Sequence, residues 1–175
     1  MQPPGSGKFL KFRVFIYNFQ SERDFMNFRT VDQIIRFAVE REQAAVGFYE
    51  ACAVKAGRPE MKTAFNEMAD EERKHVKFLT HIDRMSFAED TVDAMNHPGM
   101  ETYIVDKPFH PDMSYQEMLQ LAIHREAASA HLYQSLLKKV SDQKSSGLLK
   151  RLAGEELKHK ERLENEYDNH VMREN

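Results

Sequence analysis

The chain has 175 residues, of which 30% are charged, a net charge of −3 and one cysteine, Cys52. That length suits a single domain with its own core, and the near-neutral balance offers no electrostatic footprint for nucleic acid. A lone cysteine excludes an intramolecular disulfide and any Cys-x-x-Cys metal site; it is compatible with a reducing compartment, and a cytoplasmic location is expected.

No stretch approaches the roughly 20 apolar residues that cross a bilayer. Residues 1–28 read as a poorly defined N-terminal extension. Gln2-Pro3-Pro4-Gly5-Ser6-Gly7 has the composition of a disordered lead, and Lys11 and Arg13 interrupt the aromatic run that follows. An arm, a membrane-surface contact or a misassigned start, with Met26 a suitable opening, are its other readings. The patterned domain spans 29–175.

Thr30-Val31-Asp32-Gln33 is a capping box, in which a hydroxyl and an amide satisfy free helix N–H groups. It predicts a first helix from Val31 to Ala56, stopped by Gly57 at the C′ position. Pro59 suits the first turn of a second helix, reaching Met85. So short a link makes the two antiparallel neighbours. Residues 87–113 hold Pro98-Gly99, Pro108 and Pro111 and little periodicity, so they read as a long crossover. Ser114-Tyr115-Gln116-Glu117 is a second capping box, opening a third helix to Val140. After a turn at Ser141-Asp142, a fourth helix covers Gln143 to Met172. The fold class is all-α: a four-helix bundle of two antiparallel pairs.

Each helix carries a seam with spacings of three and four. Helix one reads Val31, Ile35, Ala38, Glu42, Ala45, Tyr49, Cys52; helix two Met61, Phe65, Met68, Glu72, His75, Leu79, Ile82. Helix three reads Leu119, Ala122, Glu126, Ser129, Tyr133, Leu136; helix four Leu149, Leu152, Glu156, His159, Leu163. The seams are apolar or small except for tyrosines and six ionisable residues. These recur at a fixed offset: 84 residues separate Glu42 from Glu126, Tyr49 from Tyr133, Glu72 from Glu156 and His75 from His159. Over 38–49 against 122–133, five of twelve positions are identical; over 65–79 against 149–163, six of fifteen. The chain is a duplicated helix pair.

A lone Glu-x-x-His is common on solvated faces. Two copies at one offset, each with a seam Glu one helix earlier, are not. Buried carboxylates cost several kcal/mol each unless paired or metal-bound, and four Glu with two His cannot all pair without some protonating. Two dications balance four carboxylates and leave both imidazoles neutral. Oxygen and imidazole ligation suits iron or manganese, with zinc an in vitro occupant. Glu71 and Glu155 fall one position off the seam and read as solvated or as neighbours of the ligands.

Glu42…Glu72-x-x-His75…Glu126…Glu156-x-x-His159, with Glu42-x-x-Ala45-x-x-x-Tyr49, resembles the ferritin-like di-iron superfamily, and rubrerythrin within it, over about residues 30–170. The resemblance implies a di-iron centre with Glu42 and Glu126 as terminal ligands, Glu72 and Glu156 bridging, and His75 and His159 each on one metal. It also implies an enzyme: an oxidoreductase reducing hydrogen peroxide or dioxygen. With one cysteine, the chain resembles relatives lacking the four-cysteine rubredoxin site, so an external donor, rubredoxin-like or a flavoprotein, is expected. Relatives commonly dimerise, so a homodimer is expected. Ser129 stands where rubrerythrin has an extra third-helix Glu, a departure from the peroxidase pattern.

Tyr49 and Tyr133 lie two turns beyond their seam Glu and are candidates to bond a carboxylate or buffer a radical, with core packing the alternative. His124 and His131 fall off the seam and read as surface residues or neighbours of the ligands, and His81, His97, His110 and His170 read as non-functional. The alternatives to a peroxidase or oxidase are a di-iron hydroxylase of an organic substrate, which needs an apolar channel, and a ferroxidase or iron-handling protein. A metal-free bundle would leave the ionisable core unexplained.

Overall fold

Four helices organise the described residues of the computed structural model, which are 28, 30–82, 109, 110 and 112–174, with side chains described as far as His170. They are α1 (Val31–Lys55), α2 (Pro59–His81), α3 (Tyr115–Leu137) and α4 (Gln143–Glu174). The extension before Phe28, most of the crossover and His97 lie outside the described residues. Phe28 itself belongs to the bundle, not to the extension: it is 2% exposed, and its ring centre lies 5.2 Å from that of Phe37.

Local chemistry sets the helix starts. The Thr30 hydroxyl accepts from the Gln33 N–H at 3.3 Å while the Gln33 amide oxygen accepts from the Thr30 N–H at 3.2 Å. Ser114 and Glu117 repeat the exchange at α3, at 3.2 and 2.8 Å. The turn expected before α4 is a cap: the Asp142 carboxylate accepts from the Ser145 N–H at 2.6 Å.

The helix ends depart from expectation. α1 closes at Ala56, which turns extended while its N–H still donates to the Cys52 carbonyl at 2.8 Å; the left-handed stop foreseen at Gly57 is not used. α2 stops short of Met85, because Ile82 leaves the helix with ψ 136° and packs on the apolar cluster beside it. α3 stops short of Val140: the Lys138 and Lys139 N–H groups reach back three residues, to Ser135 and Leu136 at 3.3 and 2.9 Å, which tightens the last turn.

Close backbone approach occurs within the pairs α1/α2 and α3/α4, whereas the pairs meet largely through side chains. Tyr49 on α1 bonds Glu126 on α3, and Tyr133 bonds Glu42, so residue numbers run in opposite senses along α1 and α3. His159 against Glu72 and Arg162 against Glu67 show the same for α2 and α4. Two apolar clusters fill the bundle, one around Ile35, Leu79, Leu136 and Leu149, the other around Phe65, Met68, Leu119 and Leu163. Full burial of each such side chain contributes about 1.5–3 kcal/mol. The ionisable layer lies between them.

Candidate metal centre

The seam spacing brings one helical face of each helix into that layer. Glu72 is 0% exposed, Glu42 and Glu156 2%, Glu126 3% and His159 5%, while the His75 side chain is 16% exposed. Their ligand atoms fall into two four-membered groups, each within 4.8 Å: Glu42, Glu72, His75 and Glu156, and Glu72, Glu126, Glu156 and His159. Glu72 and Glu156 belong to both groups. Each group therefore offers one imidazole, one carboxylate of its own and two shared carboxylates.

The polar atoms here are close but badly paired. His159 Nδ1 lies 2.9 Å from Glu72 Oε1, and His75 Nδ1 lies 3.2 Å from Glu72 Oε2. Neither contact has hydrogen-bond alignment, so both Glu72 oxygens, one Glu156 oxygen and both Nδ1 atoms are buried without a partner. An orphaned buried polar atom costs about 1–3 kcal/mol. Atoms converging this way, all of them oxygen or imidazole nitrogen, fit a pair of cations of the iron, manganese or zinc class.

Without cations the layer neutralises itself by moving protons. Burial pushes Glu42 up to about 7 and Glu156 well above the carboxylate range, the latter helped by the charges of Glu42 and Glu126. Burial would raise Glu72 too, but His159 and His75 outweigh it and bring Glu72 down to about 2. Burial opposes charge on the imidazoles, yet the carboxylates win: His75 rises to about 9 beside Glu42 and Glu72, and His159 to about 10 beside Glu126 and Glu72.

The tyrosines cross between the repeats. Tyr49 OH donates to Glu126, and Tyr133 OH donates to Glu42 Oε1 at 2.8 Å. Burial, followed by the nearby carboxylates, raises both phenols well above 10 and keeps them as donors. Each fixes one oxygen of an unshared carboxylate and leaves the other for the centre. Tyr133→Phe should lower the stability of the metal-free protein by about 1–3 kcal/mol, read as a shifted urea midpoint; an unchanged midpoint would mean that the bond is not formed in solution.

Glu71 is not simply solvated: its Oε2 lies 3.2 Å from His159 Nε2, and its Oε1 accepts from Arg162 at 3.1 Å. The sequence reading missed Arg162 and Glu67, which surround Glu71; Phe78, the repeat mate of Arg162, gave no hint of them. His124, His131, His81 and His110 are exposed. His170 is buried, with Nδ1 3.0 Å from Arg58 and its ring edge-on to Tyr115, so it serves the end of the bundle. Burial drives the Cys52 thiol up to about 12, which removes it as a nucleophile.

Fold and layer together define a ferritin-like carboxylate–histidine bundle. The rubrerythrin family matches residues 33–167, and the chain belongs to that family. A hypothetical protein from Pyrococcus furiosus shares the fold at 22% identity and a TM-score of 0.60, covering 85% of this chain and 92% of that one. A Thermotoga maritima protein, whose name describes it as ferritin-like and diiron-carboxylate, shares it at 19% identity and 0.59, covering 81% and 96%. No curated protein matches the chain significantly. Among the described residues, no helix is long and apolar enough to cross a membrane.

Proposed function

We propose that the protein is a non-haem di-iron oxidoreductase that reduces hydrogen peroxide or dioxygen with electrons from a separate donor. The observation that carries this reading is the membership of Glu72 and Glu156 in both ligand groups. In it, Glu42 with His75 and Glu126 with His159 are the unshared ligands of two cations, and Glu72 and Glu156 are shared. Bound iron would supply two electrons to an oxygen–oxygen bond. Family membership supports the di-iron reading of the donor set.

The chain's own residues supply position, charge and exclusion of water. Tyr49 and Tyr133 hold one oxygen of Glu126 and of Glu42 and keep their protons, so neither phenol offers a competing anion. The apolar clusters on either side keep bulk water from the layer. A cleft of about 460 Å³ opens between α2 and α4, with Phe65, Met68, Leu119 and Leu163 in its lining. Met68 and Leu163 each stand one turn from a member of the layer, Glu72 and His159, and none of the six layer residues lines the cleft, so it does not open onto them. That enclosure favours a small oxidant over a bulky organic substrate.

The test is to load the protein with ferrous iron without oxygen, count bound iron, and follow the oxidised-iron absorption as peroxide or air is admitted. Two ions per chain, oxidised faster by peroxide than by air, is the expected result. Preference for dioxygen would move the assignment to an oxidase or ferroxidase. No bound iron in folded protein would sink it.

A further inference from the structure

The repeat leads one to expect that whatever supports one half of the centre has a mate in the other half. The tyrosines keep that symmetry, but the groups on the outer side of the two histidines do not. His159 presents Nδ1 to Glu72 and Glu126, while its Nε2 faces Glu71 Oε2 at 3.2 Å. The other Glu71 oxygen accepts from Arg162 Nη1 at 3.1 Å, and Arg162 Nη2 bonds Glu67. Glu67 and Glu71 are one turn apart on α2, so they share a face, and one planar guanidinium reaches both from α4.

In the other half, Phe78 stands in the place of Arg162 and Arg151 in that of Glu67. These two make a cation–π contact, the guanidinium carbon 4.3 Å from the ring centre. Glu155, the mate of Glu71, pairs with Lys158 on its own helix at 3.0 Å. Among the described residues, the ion-pair contacts of His75 are to Glu42 and Glu72, both through Nδ1.

An acceptor on the outer nitrogen fixes the plane and tautomer of a metal-binding imidazole, because the proton held there leaves the inner nitrogen its lone pair. Arg162 in turn stops Glu71 from swinging into water. Flanked by two carboxylates, this arginine adds no net positive charge beside a cation. We infer that Glu71, held by Arg162, is a positioning residue for His159, and that it makes the His159 half the tighter of the two cation positions and the first to fill. The inference rests on the dinuclear reading above.

Stepwise titration of the apo protein with Co²⁺, followed by visible absorption and calorimetry, tests it. The parent should take up two ions per chain in two steps, and His159→Ala should remove the tighter step. Glu71→Ala and Arg162→Met should weaken that step by about 10- to 100-fold, the usual cost of losing an outer partner, and spare the other step. Glu71→Gln, which retains an acceptor oxygen, should recover part of the loss. Glu155→Ala should leave both steps unchanged. Parent-like titration of Arg162→Met, or equal weakening by Glu155→Ala, would overturn the inference. If Glu71→Ala fails to fold, Arg162→Met decides alone, since that side chain is 40% exposed. Fewer than two Co²⁺ per chain in the parent would overturn the dinuclear reading instead.

Discussion

Glu72→Gln and Glu156→Gln should each leave a protein that no longer holds two metal ions as a pair, while only Glu72→Gln should destabilise the metal-free protein. The common loss follows from geometry: each residue belongs to both ligand groups, and an amide neither bridges two cations well nor supplies the missing negative charge. Affinity for a second ion should fall by at least about 100-fold, since even outer partners are worth 10- to 100-fold. Metal counting after gel filtration reads this directly.

The difference follows from what each carboxyl does without metal. Glu72 lies between the Nδ1 atoms of His75 and His159, and these drive it to its anionic form. Removing that charge leaves each protonated imidazole with one carboxylate neighbour in place of two, and breaking a buried charge pair costs about 3–5 kcal/mol. Glu156 is protonated by burial and has one oxygen with no partner. Glu156→Gln therefore removes no favourable charge and should hold or raise apo stability. Urea unfolding at pH 6 separates the two; a destabilised Glu156→Gln would show that Glu156 is ionised and paired in the metal-free state.

The metal-free protein should lose stability as pH rises from about 5 to 10, and metal should restore it. His75 and His159 have folded values near 9 and 10 against an ordinary 6.5. Their contribution is complete below about 6.5 and lost as pH rises through 9 and 10. Glu42, raised to about 7 from 4.5, contributes below 4.5 and loses that contribution through 7, and Glu156 is displaced the same way. Within the layer, Glu72, lowered to about 2, runs the other way, its contribution present above 4.5 and lost as pH falls through 2. On the proposed dinuclear assignment, metal needs all six groups deprotonated, so binding should release protons and tighten with pH. With free metal at about 1,000 times its dissociation constant, the gain is about 4 kcal/mol. Thermal melts of apo and loaded protein between pH 5 and 9 test this, and an apo melting temperature that stayed level or rose over that range would sink the proton assignment.

The sequence by itself determined the helices and the polar layer, because both are written in local terms. A capping box closes within four residues, and a seam is a matter of spacing along one helix. A Glu or His in an apolar seam is therefore visible before any helix meets another. The 84-residue offset added the pairing of the two halves. The helix ends were less legible, since Ile82 and Val140 leave their helices to pack against the apolar cluster at one end.

Only the tertiary structure decided who meets whom across the layer. Tyr49 reaches Glu126 rather than the Glu of its own helix, because α1 and α3 run antiparallel and bring residues 77 apart into contact. Glu71, one place off the seam, meets His159 only because α4 crosses α2 there with Arg162 alongside. Contacts at separations of 77 to 95 residues leave no periodic trace in either helix. The substitution of Phe78 for Arg162 in the repeat hides the one that makes the two halves unequal.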